Sequence, residues 1–281
     1  MSYERLFVTF SLQRSGQHAV LNWICRQLQA ESVIHFNHCG LFQRRSGLVK
    51  RQQYVVAEPR YGRFFVYSGD QPKDSGVLLK RSWIPRLRYR LALASARKTR
   101  HAVFSFEGPD LSQDVTRGLP PHRTLTAVVI VRDPFNWVAS FLQNGHPLEL
   151  LPERIRVWKQ HVRECLGETN LLGLPLVDVD FNRWTQEASF RAELAHRLAI
   201  PYSERGLDEV SPIGGGSSFD RTAFDGMGSH MQVLDRWSKF RENPHFLRVA
   251  EDPEIRELSR SYFGFDDPDQ ISRSATRRGE N

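Results

Sequence analysis

The stretch Phe7–Leu28, FVTFSLQRSGQHAVLNWICRQL, decides how the chain folds. Leu6–Leu12 is short and rich in Phe and Val, the mark of a buried strand. From Ala19 to Gln29 the apolar residues Val20, Trp23, Ile24 and Leu28 recur at helical spacing. Between them lies Gln13-Arg14-Ser15-Gly16-Gln17-His18. A strand that turns straight into a helix puts the free N–H groups and positive dipole end of that helix beside the turn. Such a place attracts anions. Gly16 lets backbone approach a phosphate, Ser15 offers a hydroxyl, and Arg14 adds a permanent charge with a planar donor fork.

The pattern repeats outward. Leu125–Val131, LTAVVIV, is the clearest strand, and Arg132-Asp133-Pro134 leads from it into a helix carrying Trp137, Val138 and Phe141. Pro134 suits the first helical turn, and Ser140 follows Arg132 by eight positions. Further strands are read at Ser32–Phe36, Ala102–Phe106 and Leu176–Phe181, and helices at Arg154–Leu166 and Phe190–Leu198. Tyr54–Val56 and Phe64–Tyr67 read as a hairpin, and Leu87–Lys98 as a helix. Strands alternating with helices, several as near-continuous apolar runs, predict an α/β fold: a mainly parallel central sheet with helices on both faces. We expect one domain over 1–268, a loop at Gly214–Ser218, and a disordered tail over 269–281.

The 281 residues carry a net charge of +7, which suits an anionic partner. Basic residues are densest from Arg81 to Arg100, a zone fit for an acidic acceptor. Cys25, Cys39 and Cys165 form no Cys-x-x-Cys pair, so neither a disulfide framework nor structural zinc is expected. No stretch is apolar enough to span a membrane and no signal peptide is read, so the expected compartment is the cytoplasm. The Walker pattern, with its Lys-Ser/Thr pair for phosphate and magnesium, is absent, so the cradle at Arg14 needs no magnesium-bound triphosphate.

These stretches resemble the donor-binding motifs of sulfotransferases that use 3′-phosphoadenosine 5′-phosphosulfate (PAPS) and release adenosine 3′,5′-bisphosphate (PAP). RSGQHAVL, from Arg14, resembles the family's 5′-phosphosulfate loop, with Gln17 and His18 where Thr is common. RDPFNWVAS, from Arg132 to Ser140, is similar to its 3′-phosphate motif, Arg and Ser at the same spacing. PLVDVDFNRWTQEASFRAELAHRLAIP resembles a late strand and helix, and GGGSSFDRTAFDGMGSHMQVLDRW a glycine-rich loop and helix that close over the nucleotide. The resemblance implies a P-loop NTPase-like fold, no metal, and donor contacts from Arg14, Ser15, Gly16, Gln17, His18 and Ala19 at one end. At the other end it implies Arg132 and Ser140, helped by Gly215, Gly216 and Arg221. The acceptor is a hydroxyl compound, a carbohydrate being suggested by the basic zone; small alcohols, lipids and peptide tyrosine stay open.

Transfer of a sulfuryl group needs stabilisation at the leaving oxygen, here from Arg14 and His18, and a base for the acceptor proton. Glu107, in FSFEGPDL, is the first choice: it ends a strand at the same sheet edge, and resembles the catalytic glutamate of heparan-type sulfotransferases. Gly108-Pro109 stands where those enzymes carry Lys-Ser/Thr, so their helper lysine is missing. His35 and His38 come second, Asp70 and Asp74 behind them. Trp184 and Trp237 read as packing residues. Two other functions fit less well: an ATP-using P-loop kinase, and a basic nucleic-acid-binding protein without a recognisable motif.

Overall fold

The computed structural model describes residues 2–45, 53–59, 63–67, 77–78, 99–210 and 216–271. Seven strands form one sheet: β1 (Tyr3–Ser11), β2 (Val33–Phe36), β5 (Arg63–Tyr67), β6 (Val77–Leu78), β7 (His101–Glu107), β8 (His122–Val131) and β9 (Leu176–Asp180). Their order is β6-β5-β2-β7-β1-β8-β9. From β2 to β9 all neighbours run parallel, and β5 and β6 extend the edge antiparallel. A separate ribbon pairs β3 (Cys39–Arg45) with β4 (Gln53–Pro59).

The hairpin expected between residues 54 and 67 does not form. β4 pairs back onto β3, while β5 crosses to β2, so two strands adjacent in sequence enter different sheets. The expected helix at Leu87–Lys98, the basic residues of 81–98, and Asp70 and Asp74 lie outside the described residues, as do Gly215 and everything past Ile271. Ile271 itself, within the segment read as tail, is buried in the core.

The parallel sheet buries both faces because its strands alternate two apolar sets. Leu6, Val8 and Phe10 of β1 pack with α2 (Pro134–Gln143), α3 (Leu151–Cys165), α6 (Pro244–Ala250) and α7 (Pro253–Phe263). Phe7 packs on the other face with α1 (Gln17–Gln27), α4 (Phe181–Gln186) and α5 (Ala188–Arg197). Four helix starts share one device. Asp133, Asp180, Asn243 and Asp252 each accept backbone N–H bonds from the first turn, and three of them precede Pro. Among the described residues, no helix is long and apolar enough to cross a membrane.

The stretch 216–240 departs from expectation. It contains only 3-10 turns, Gly228–His230 and Arg236–Phe240, rather than the helix that the resemblance implied. A tight antiparallel bridge, Ser217 to Arg221, shapes its start, and Gly216 suits that position because its φ is +75 and a Cβ would meet the Arg221 carbonyl at 2.5 Å.

Candidate functional site

Parallel strands bring their carboxyl ends to one edge, where α/β folds keep their ligand crevice. Here β1 ends at Ser11 opposite Glu107, the last residue of β7, and β8 ends at Val131 just before Arg132. A cavity of ≈ 330 Å³ opens at this edge. Arg14, Gly16, Gln17, His18, Ala19, Glu107, Arg132 and Gly216 all line it.

The first bend is built against its own strain. Arg14 has φ +72, a left-handed conformation rare for a side chain with Cβ. Gly16, φ +85, caps α1, and a Cβ there would come within 2.2 Å of the Phe181 ring. Only glycine meets both demands. The backbone ladder of α1 begins where Ala19 and Val20 donate to the Gly16 carbonyl, so Gly16 and Gln17 precede it at the cavity wall. Ser15 departs from its expected role. It is buried and off the cavity, and its hydroxyl donates to the Leu12 carbonyl at 2.7 Å, closing the turn. Gln17 lines the cavity, but its side chain is engaged within the protein: its amide donates to Glu107 and its carbonyl accepts from Ser11.

The second bend is tied to the first. Arg132 Nη1 donates to the Arg14 carbonyl at 3.3 Å and to Ser140 Oγ at 3.0 Å; Nη2 donates to the Val233 carbonyl. Two indoles pin the bends: Trp137 donates to the Gln13 carbonyl at 2.9 Å, and Trp158 to that of Arg132 at 3.0 Å. Ser140 is buried behind Arg132, bonded to it, and does not line the cavity. Arg132 lies over the Phe181 ring, 5.5 Å from its centre. Burial first, and then the nearby Arg236, push its guanidinium down to about 9. Its Nε is buried without a partner.

Arg236 was not read as a site residue. Buried and lining the same cavity, it donates to Ser217 Oγ at 2.8 Å and Asp220 Oδ2 at 3.2 Å. Burial pushes it down to about 10, against the pull of Asp220. Arg14 is lowered by burial and then by Arg221, which is exposed, does not line the cavity and holds φ +54. Of the three lining arginines only Arg236 bonds a carboxylate, Asp220, while Asp133 and Glu107 attract Arg132 and Arg14 without a hydrogen bond, an arrangement suited to a multiply charged anion. Phe181 and Trp184 add a stacked aromatic pair, 5.8 Å between centres, to the wall. Trp184 is packed as expected yet also faces the cavity; Trp237 is only packed.

The opposite end is built around Glu107. His38 Nδ1 approaches its carboxylate at 2.9 Å and His18 Nε2 at 3.4 Å. Burial raises the Glu107 carboxyl, but the His38 bond, the charges of His18 and His38, and Gln13 outweigh it and hold it at about 2. His35 does not line the cavity: it is wholly buried against Phe65, bonds Ser105 at 3.1 Å, and is pushed down to about 3 by burial. Of the histidines that line the cavity, His18 and His38 both reach Glu107, and His38 is the nearer of the two. His146, also missed, lines it beside Asn144, which accepts from Arg14. A separate cluster, Glu4, Glu31 and His101, brings its ligand atoms within 4.8 Å at the far edge of the sheet. It already holds a cation, because Arg100 reaches both carboxylates.

No family model matches the chain, and no curated protein does. Among solved structures the fold is similar to "Sulfotransferase Domain from the Synechococcus PCC 7002 Olefin Synthase". The TM-score is 0.53 and the match covers 94% of this chain and 96% of that one, at 10% identity. The chain therefore has a sulfotransferase-like fold.

Proposed function

We propose that this protein is a PAPS-dependent sulfotransferase that moves a sulfuryl group to an acceptor hydroxyl. One observation carries the reading: two arginine-bearing bends, 118 residues apart, are bonded to each other and line one cavity. Their spacing to Ser140 and Gly16 is that of the two donor motifs named above. The buried, orphaned Nε of Arg132 and the excess of arginine over carboxylate fit a bisphosphorylated nucleotide.

In this reading Arg14, with the Gly16–Ala19 turn and His18, holds the 5′ end and stabilises charge on the leaving oxygen. Arg132, oriented by Ser140, and Arg236 hold the 3′-phosphate, with Gly216 beside them at the cavity wall. Phe181 and Trp184 offer an aromatic wall to the base. When bound, PAPS supplies the sulfuryl group and a good leaving group.

The proton falls to the Glu107–His38 pair. A carboxylate held at about 2 is a weak acceptor for an alcohol proton. It is well made to accept Nδ1–H of His38, which puts the ring's lone pair on Nε2. His38 takes the proton there, and Glu107 holds the resulting imidazolium. The acceptor is a hydroxyl compound, with a carbohydrate the class favoured by the basic residues between Arg81 and Arg100.

Calorimetric titration with PAP, ATP and AMP tests the donor. PAP is expected to bind at least about tenfold more tightly than AMP, since one further phosphate meets a buried arginine. Magnesium-dependent ATP binding tighter than PAP would favour the kinase instead. Affinity for duplexes alone would favour the nucleic-acid binder.

A further inference from the structure

We infer that Ser105 is a positioning residue that sets His38 for proton transfer, an inference that rests on the role just given to His38. β2 accompanies β7 only as far as Phe36 opposite Phe104. The chain then leaves the sheet at Asn37 and His38, and His38 takes φ +52, a left-handed backbone that a residue with Cβ holds only when its surroundings impose it.

Ser105, one residue past the last ladder pair and fully buried, supplies the hold. The N–H of His38 donates to Ser105 Oγ at 3.2 Å, so a side-chain hydroxyl takes over where the backbone ladder stops. The same oxygen lies 3.1 Å from His35 Nε2, 3.3 Å from Asn37 Oδ1 and 3.4 Å from the Phe36 carbonyl. One hydroxyl has one proton to give and two lone pairs to offer. It accepts from His38 N–H and from His35, and donates toward the Phe36 carbonyl or Asn37, which ties both sides of the bend to one atom.

Strand geometry completes the device. Residues two apart on a strand face the same way, so Ser105 and Glu107 share a face of β7. The first grips the His38 backbone, the second its ring at Nδ1, 2.9 Å away. Held at both ends by one strand, the imidazole has its plane and its tautomer fixed. Among the described residues Glu107 on β7 is bonded to His38, and His18 at the start of α1 and His35 on β2 interact with that carboxylate; Ser105→Ala removes none of them.

Imidazole nitrogen NMR on the full chain, with His38 assigned through His38→Asn, tests the inference. Wild type is expected to show the His38 Nδ1 proton as a sharp, downfield signal, protected by Glu107. Ser105→Ala is expected to broaden or lose that signal while PAP affinity stays within about twofold, and Ser105→Thr, which keeps the hydroxyl, to restore it. An unchanged signal in Ser105→Ala overturns the role. A second measurement needs no variant: hydrogen exchange at the wild-type His38 amide. We expect it to be slowed by about 100-fold or more relative to an open loop. Exchange at the loop rate overturns the inference even if Ser105→Ala does not fold. Neither readout requires a nucleotide, so loss of PAP binding would sink the sulfotransferase reading alone.

Discussion

The two ends of the cavity solve opposite problems. At one end Arg14, Arg132 and Arg236 share too few carboxylates, and Arg132 is buried with a donor unused. At the other, Glu107 has about one donor for each lone pair of its carboxylate: His38, His18, Gln17 and Gln13. The first end is short of negative charge, and a phosphate would supply it. The second is already saturated with hydrogen-bond donors, and one of them, His38, keeps its Nε2 for a proton. The difference separates a place that binds from a place that reacts, within one crevice.

Removing the reacting group should produce the largest effect. His38→Asn is expected to lower PAP release from PAPS, measured across a panel of hydroxyl acceptors, by about 10²- to 10⁴-fold. PAP affinity should stay unchanged. If affinity falls in step with rate, the two ends are not separable as described. The binding end comes next. Arg132→Ala removes a charge-assisted contact and leaves Ser140 Oγ and the Val233 carbonyl without their donor, so PAP binding by calorimetry should weaken about 10- to 100-fold. Ser140→Ala, which only loosens the arginine, should cost less. A normal PAP affinity in Arg132→Ala breaks the comparison at its cationic end.

Both arginine bends were legible because each is local: an apolar strand, an Arg at the turn, then helical periodicity or an Asp-Pro start. The strands β1, β2, β7, β8 and β9 are read from similar runs, but not their order, and the helices that begin at Asn243-Pro244 and Asp252-Pro253 were not read. What resisted reading was non-local. Arg236 comes from a stretch of 3-10 turns without a 3.6-residue period, so nothing marks the face it shows. The hairpin reading joined β4 to β5 by nearness in sequence, whereas each pairs elsewhere. The choice between His35 and His38 turned on which side of the sheet edge each lands. His35 sits inside β2, buried against β7, and His38 lies two residues past its end, where the chain has swung to the cavity. Ser15 and Gln17 carried suitable donors for a phosphate, but their nearest acceptors are Leu12 and Glu107.

The smallest expected effect concerns stability in acid. The Glu107 carboxyl is held at about 2 when folded, against an ordinary value of 4.5. Between these values the unfolded chain binds a proton that the folded chain does not, so stability rises with pH across that window. The contribution is complete above about 4.5 and is lost as pH falls through about 2. Glu107→Gln has no such group and should lose less of its melting temperature between pH 5 and pH 3 than wild type does. The difference should correspond to about 2 kcal/mol at most, at about 1.4 kcal/mol per unit of pH below 4.5. Parallel acid limbs in the two proteins would mean that Glu107 is no better neutralised folded than free. The contrast between a saturated carboxylate and a set of underpaired arginines would then lose its reactive half, and His38 the partner that fixes its tautomer.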